Sequence, residues 1–243
     1  MKGVILAAGK GTRLRPWTET TPKPLLPLNG KPMMDYVLEG FRSAGVLDVI
    51  IVTGYLAEQI ENHYGDGSAM GMRFSYMRQE QQLGTGHAVA LVRDFTDDGL
   101  FLLSWSDVIV EQENYAKLVE FHTRGNFDAS ITLDQVDDPW EGAAVYMDGD
   151  IVRDIIEKPP KGVSTTNYNN RGIFILGPII YEELAKISSA RRGEYDLPDA
   201  VRNLIARGLR VGGMPISGHS SDVGTIQAWR EFEDFLKSRG SRH

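Results

Sequence analysis

The sequence has no cysteine among its 243 residues, which excludes a disulfide framework, a thiol nucleophile and any thiolate metal site, and fits a reducing cytoplasm. Long apolar runs are missing too. The first, Gly3 to Ala8, is shorter than a signal-peptide core, and nothing later approaches the roughly 20 residues that span a bilayer. A soluble, untargeted, cytoplasmic protein with no membrane partner is expected. Nor is there an excess of positive charge: the formal net charge of −7 repels nucleic acid and anionic lipid surfaces. There is no G-x-S-x-G elbow, no pair of histidines at metal-ligand spacing, no internal repeat and no low-complexity segment.

What is present is enough apolar material, 42% of residues, for one substantial core, and therefore one compact domain. Short continuous apolar runs at Gly3 to Ala8, Val49 to Thr53, Arg73 to Met77 and Leu100 to Trp105 read as buried strands. Between and after them, helical periodicity covers Met33 to Ala44, Ala57 to Tyr64, Gly86 to Phe95 and Tyr115 to Thr123. This alternation predicts right-handed βαβ units: an α/β fold with a Rossmann-like, mixed but mostly parallel sheet flanked by helices. Beyond residue 126 the texture turns β-rich. Strands are expected at Phe127 to Val136 and Asn170 to Leu176, with a hairpin from Ala144 to Ile156 around Asp148-Gly149-Asp150. Helices at Ile179 to Ser188, Pro198 to Arg207 and Thr225 to Lys237 close the chain, and Trp229, Phe232 and Leu236 read as core. Tandem Asp137-Asp138 reads as an exposed turn before Pro139.

The charge is unevenly placed. Residues 1–31 carry Lys2, Lys10, Arg13, Arg15, Lys23 and Lys31 against Glu19 alone, a net +5 that leaves −12 for the remainder. Within this island lies GKGTRLRP. A dinucleotide turn needs a third glycine and a carboxylate at the end of the second strand; here position 14 is leucine, and the strand ends Val52-Thr53-Gly54. A P-loop needs Gly-Lys-Ser/Thr at a spacing the sequence does not offer. Gly9 and Gly11 instead let backbone N–H groups turn toward an anion, with Arg13 supplying a rigid fork of donors. In Thr21-Pro22-Lys23-Pro24 the two prolines hold the chain extended and out of any helix interior, which aims Lys23. The segment has the character of a polyphosphate cradle.

AAGKGTRLRP followed by TPKPLLPLNGKPMMDY resembles the N-terminal signature of the sugar-1-phosphate nucleotidyltransferases, also called nucleotide-sugar pyrophosphorylases. Further motifs follow in order: QEQQLGTGHA from Gln79, LLSWSD ending at Asp107, IEKP from Ile156, NRGI from Asn170 and DVGT from Asp222. The resemblance implies the nucleotide-diphospho-sugar transferase fold, in its short form without a β-helix domain, with 1–125 as the nucleotide-binding half, 126–225 as a β-rich sugar-phosphate-binding part and 226–243 as a C-terminal helix. It implies condensation of a sugar 1-phosphate with a nucleoside triphosphate, giving an NDP-sugar and pyrophosphate. Leu6, Ala8, Gly9, Gly11, Thr12, Gln79, Gly84 and Thr85 would bind the nucleotide. Gly142, Glu157, Lys158, Asn170 and Gly172 would bind the sugar phosphate. Arg13, Lys23 and Lys158 would be catalytic, and Asp107 and Asp222 would hold Mg²⁺. A homo-oligomer is compatible with the resemblance.

The residue chemistry suits these roles. The attacking phosphate is already anionic, so alignment and charge neutralisation suffice, and the absence of a nucleophile motif fits. Mg²⁺ prefers oxygen ligands and bridges phosphates. Either aspartate by itself reads first as a turn or helix-capping residue, and only the motif context turns it toward metal. The Gln79 amide offers the donor and acceptor that pair with uracil or thymine, which favours UTP or dTTP with a hexose 1-phosphate; a mannose-1-phosphate guanylyltransferase is the alternative. Thr85 is expected to cap the helix that follows it, and Gly142 and Gly172 to make room for the sugar ring. A catalytically silent regulatory or sensor paralogue and an NAD-binding oxidoreductase are the other readings; retention of Arg13, Lys23, Asp107 and Asp222 argues against the first, and the missing glycine and carboxylate against the second. Two positions depart from the family pattern: Ser106 stands where glycine usually precedes the first aspartate, and Ser220-Ser221 where an aromatic usually precedes DVGT.

Overall fold

A computed structural model describes residues 1–96, 99–189 and 193–240; residues 241–243, which the sequence assigns to the C-terminal helix, lie outside it. Strand β1 (Lys2–Leu6) leads into the basic loop, which ends in a small hairpin, β2 (Pro27–Leu28) and β3 (Lys31–Pro32), before helix α1 (Met33–Ser43). Then come β4 (Asp48–Thr53), α2 (Ala57–Tyr64), β5 (Arg73–Arg78), α3 (Thr85–Ala90), α4 (Arg93–Thr96), β6 (Phe101–Trp105), β7 (Val108–Val110) and α5 (Glu113–Gly125). The second half contains β8 (Ala129–Gln135), β9 (Ala143–Asp148), β10 (Ile151–Glu157), β11 (Tyr168–Leu176), α6 (Ile179–Leu184), α7 (Leu197–Ala206), β12 (Val211–Pro215), β13 (Ser220–Asp222) and α8 (Ile226–Gly240).

Nine strands make one mixed sheet in the order β5-β4-β1-β6-β11-β8-β12-β10-β9. The run β5-β4-β1-β6 is parallel throughout, as βαβ alternation requires, and β12 is parallel to β8. Val4, Ile5, Ile51, Val52, Leu102 and Leu103 are fully buried because helices cover both faces of the sheet. One core packs the sheet against α3, α6 and α7; the other packs it against α1, α2 and α5. The α/β class expected from the sequence is the one the chain adopts.

Strand β11 is the joint between the two halves. Along one edge it pairs with β8; along the other, Ile173 to Leu176 pair with β6, whereas Asn169 pairs with Ala144 of β9. The change of neighbour falls at a register shift between Asn170 and Phe174.

Three local expectations change. The helix read as Gly86 to Phe95 is two, because Val92 N–H reaches back three residues to Val89 O (3.1 Å), a tighter turn that keeps both valines buried. Lys23 is not in extended chain: Pro22 is extended (ψ 144°), but Lys23–Leu25 forms a single 3₁₀ turn, in which the missing N–H of Pro24 leaves no helical bond broken. Finally, β12 is a strand that the sequence reading does not include, its apolar run being broken by Gly212, Gly213 and Pro215. Those glycines lie under Phe127 and Met147, whose atoms would stand 2.6 and 2.5 Å from added Cβ atoms.

Candidate active site

The basic loop is shaped by Gly11, whose φ of 61° opens the 3₁₀ turn Thr12–Leu14. A Cβ there would stand 2.9 Å from Thr18 and 3.1 Å from Lys23, so glycine is required twice over. The Thr18 hydroxyl donates to Gly11 O (2.8 Å) and fixes the turn. The N–H groups of Gly9, Lys10 and Gly11 donate to no other group among the described residues, as an anion-binding loop needs. The Arg13 guanidinium lies against Gly224, where a Cβ would be 2.8 Å from Nη2 and 3.2 Å from Asp222 Oδ1.

Lys23 is 8% exposed, and its Nζ donates to Asp107 Oδ2 at 2.5 Å. Asp107 follows β6 across a turn in which Ser106 N–H donates to Leu6 O (3.1 Å). Ser106 is not among the residues with positive φ, so a serine sits there without strain. On β13, Asp222 pairs with Val108, which sets it beside Asp107. Burial raises the Asp107 carboxyl, but the Lys23 ammonium, with Arg171 beyond it, outweighs that and holds it low. Asp222 is pushed up, by burial first and then by the charge of Asp107, against the pull of Lys23, Arg171 and Arg13. Two mutually repelling carboxylates with oxygen donors suit Mg²⁺, and no third carboxylate or histidine joins them among the described residues.

Gln79 continues from β5, with its N–H on Thr53 O (2.8 Å) and only 4% exposure. Its amide Nε2 donates to Gly84 O (3.0 Å) and lies 2.9 Å from His87 Nδ1. Thr85 does not cap its own helix. Its hydroxyl accepts from Leu197 N (2.9 Å), satisfying the first turn of α7 instead. Gly86 N–H donates to Tyr195 O and Tyr195 N–H to Leu83 O, both at 2.7 Å, so the segment before α7 is zipped onto this loop.

On the opposite wall, Lys158 takes a left-handed φ of 43° immediately after β10, held by its N–H on Gly142 O (2.7 Å). Its Nζ is 3.6 Å from Glu157 Oε1. Burial drives the Glu157 carboxyl up to about 7, with Lys158 pulling down and Asp196 and Asp199 adding to the rise. The two glycines expected to make room for a sugar ring do something else. An added Cβ on Gly142 would stand 2.2 Å from Asn169 Oδ1, and one on Gly172, at φ 79°, would stand 2.2 Å from the Trp105 ring. The protein's own side chains fill both spaces.

These pieces line one cleft of about 670 Å³. All the residues implied by the sequence face it except Gly172, which stands behind Trp105. With that cleft defined, a sequence model of the nucleotidyl transferase family matches residues 2–239. The chain belongs to the nucleotidyl transferase family. It is 37% identical to a glucose-1-phosphate thymidylyltransferase of Streptomyces griseus over 93% of its own length and 63% of the relative's, so it spans less than two thirds of that protein. It is 31% identical to the UTP–glucose-1-phosphate uridylyltransferase AglF of Haloferax volcanii, over 98% of this chain and 97% of the relative. Its fold matches that of a UDP-glucose pyrophosphorylase complexed with UDP-glucose, with a TM-score of 0.88 at 23% identity, covering 98% of each chain.

As nucleotidyl transferase residues, several others that the sequence reading passed over also face the cleft: Trp105, Trp140, Asn169, Arg171 and Gly224. Gly224, within DVGT, leaves space for Arg13. Arg171 lies inside the NRGI motif, so its position was quoted but its side chain went unweighed. Nothing in the sequence marks Asn169 or Trp140, because loop and bulge geometry, not periodicity, turns them inward. Among the described residues no helix is long and apolar enough to cross a membrane.

Proposed function

We propose that the chain transfers a nucleotidyl group from a nucleoside triphosphate to a hexose 1-phosphate, giving an NDP-sugar and pyrophosphate. One observation carries this: Arg13, Lys23, Asp107 and Asp222 converge at one point of a cleft whose opposite wall presents Glu157, Lys158 and Asn170. The names of the relatives, which specify glucose 1-phosphate with thymidylyl or uridylyl transfer, point the same way.

The free N–H groups of Gly9, Lys10 and Gly11 cradle the triphosphate, and Arg13 binds the pyrophosphate as charge accumulates on it. An oxygen of the sugar 1-phosphate attacks the α-phosphorus while the bond to the bridging oxygen of pyrophosphate breaks, in line. The nucleophile arrives ionised, so no side chain has to take a proton. Lys23 turns from Asp107 to the reacting phosphates, and Lys158 orients the incoming one. Asp107 and Asp222 would hold Mg²⁺, which when bound would supply charge neutralisation and Lewis acidity. Glu157 and Asn170 address sugar hydroxyls.

UTP or dTTP is favoured. With the Gln79 amide nitrogen engaged by Gly84 O and His87, its carbonyl oxygen is left to accept from a ring N–H, which uracil and thymine carry at N3. Guanine carries a comparable N–H, so GTP with mannose 1-phosphate belongs in the test. A matrix of nucleoside triphosphates against sugar 1-phosphates with Mg²⁺, read as pyrophosphate release, is expected to show its highest rate with UTP or dTTP. Folded protein that releases none in any combination would refute the reading.

A further inference from the structure

Arg171 sits on the bulge of β11 in the wall of the cleft, 7% exposed. Its Nε is buried without a hydrogen-bond partner among the described residues. Its Nη1 stands 3.6 Å from Asp134 Oδ2, beyond hydrogen-bond reach, and that oxygen already accepts from the Ser220 hydroxyl at 2.7 Å. The neighbours on the bulge are equally short of partners: Asn169 Oδ1 and Asn170 Nδ2 are buried and unbonded among the described residues.

An ion pair built for stability alone is expected to be close and fully hydrogen-bonded, since a buried guanidinium left under-bonded is unfavourable. Arg171 is neither. Its donors await an anion, and the place of that anion is narrowed by geometry. Arg171 lines the same cleft as Asp107, Asp222 and Lys158, and its neighbour Asp134 accepts from Ser220, which shares the short strand β13 with Asp222, so the guanidinium stands on the side of the reacting centre. Within the function proposed above, two anionic groups enter the cleft. The triphosphate has Arg13, Lys23 and the glycine loop on its own wall; for the phosphate of the sugar the opposite wall offers, among the described residues assigned to it, Lys158, already 3.6 Å from Glu157.

We propose that Arg171 binds the phosphate of the incoming sugar 1-phosphate as a second cation beside Lys158, with Asp134 and Ser220 as positioning residues that hold the guanidinium. This deepens the function proposed above and rests on it. The planar fork takes two phosphate oxygens side by side. The third is left free to form its bond to the α-phosphorus as the bond from that phosphorus to the bridging oxygen of pyrophosphate breaks, and no proton moves. A lysine at 171 would supply charge without the fork, so the arginine contributes orientation as well as attraction.

The test uses the full chain with the substrate pair that the wild type turns over fastest, and compares wild type, Arg171→Ala, Arg171→Gln, Arg171→Lys and Asp134→Asn. Pyrophosphate release gives KM separately for each substrate. Arg171→Ala and Arg171→Gln are expected to lower kcat/KM for the sugar 1-phosphate by between about tenfold and a hundredfold, the usual effect of losing a charged hydrogen bond. KM for the triphosphate should move by less than about twofold. Arg171→Lys should fall between, Asp134→Asn should show a milder loss on the sugar side, and millimolar guanidinium should restore part of the rate to Arg171→Ala alone. If Arg171→Ala does not fold, Arg171→Gln, which keeps bulk and hydrogen bonding without charge, decides. Unchanged sugar 1-phosphate kinetics in Arg171→Gln overturns the inference and leaves the function standing; equal losses for both substrates also overturn it. A wild type that releases no pyrophosphate with any pair defeats the function and this inference together.

Discussion

Lys23 Nζ and Asp107 Oδ2 stand 2.5 Å apart, so the lysine assigned to the phosphates and an aspartate assigned to the metal neutralise each other before any substrate binds. The pair keeps a half-buried carboxylate, its side chain 26% exposed, charged while substrate is absent. Lys23→Met strips that partner and should destabilise the fold by roughly 1 to 2 kcal/mol, less than a fully buried pair would lose because solvent reaches the aspartate. It should also cut kcat by at least about a hundredfold, because a cation is lost where charge develops. Urea unfolding and pyrophosphate release on the same preparation check both; a stable variant with normal turnover would remove Lys23 from the site.

Asp222 carries the opposite signature. Desolvation and then the Asp107 charge push its carboxyl up, but Asp222 is exposed to solvent, which screens that repulsion. Asp222→Asn should therefore leave thermal stability nearly unchanged, while cutting turnover by about a hundredfold or more. A melting curve shifted downward together with a normal rate would contradict the assignment. Chelation of divalent ions should stop pyrophosphate release by the wild type, and added Mg²⁺ should restore it.

Glu157 predicts a pH dependence. Its carboxyl titrates at about 7 in the folded protein against an ordinary 4.5, chiefly because it is buried. Between those values the folded chain keeps a proton that the unfolded chain releases, so the contribution of Glu157 to stability falls as pH rises through the window and is constant above it. The full window amounts to roughly 3 kcal/mol. Glu157→Gln should match the wild type near pH 4.5 and exceed it by up to about 3 kcal/mol at pH 8. Urea titrations at both pH values check this; an equal difference at each would assign the effect to packing.

Gly172→Ala should destabilise by roughly 2 to 4 kcal/mol, since it forces a left-handed φ on alanine and drives Cβ into the Trp105 ring. Thr85→Val removes the acceptor for Leu197 N–H and should lower stability by about 1 kcal/mol, whereas Thr85→Ser should not. Calorimetric melting of the three variants decides; a Thr85→Val variant as stable as wild type would mean that the first turn of α7 finds another acceptor.

The strands β1, β4 and β6 were readable because each is a short apolar run closed by a turn, β5 because Phe74 and Tyr76 alternate with polar residues, and the helices between them because their buried residues recur with the helical period. What escaped was set by contacts between distant segments. In β12, Gly212 and Gly213 look like loop until Phe127 and Met147 are seen to occupy the space where their side chains would be. Thr85 looks like a local cap, but its hydroxyl bonds a residue 112 positions away. Most of the cleft lining was legible through ordered motifs, Arg171 by its position in NRGI though not by the direction of its side chain; Asn169 and Trp140 were not, because a bulge or turn, rather than a repeat in the sequence, decides which way each faces.

The change of neighbour along β11 has a consequence for how such a cleft can evolve. The walls proposed for nucleotide and sugar are joined by one strand, hydrogen-bonded to β6 on one side of the bulge and to β9 on the other. Neither wall can swing without breaking that strand's ladder, so alignment of the two substrates is inherited from the sheet. Side chains on the sugar wall away from the bulge can then be exchanged to admit a different sugar while the distance between the reacting groups is preserved.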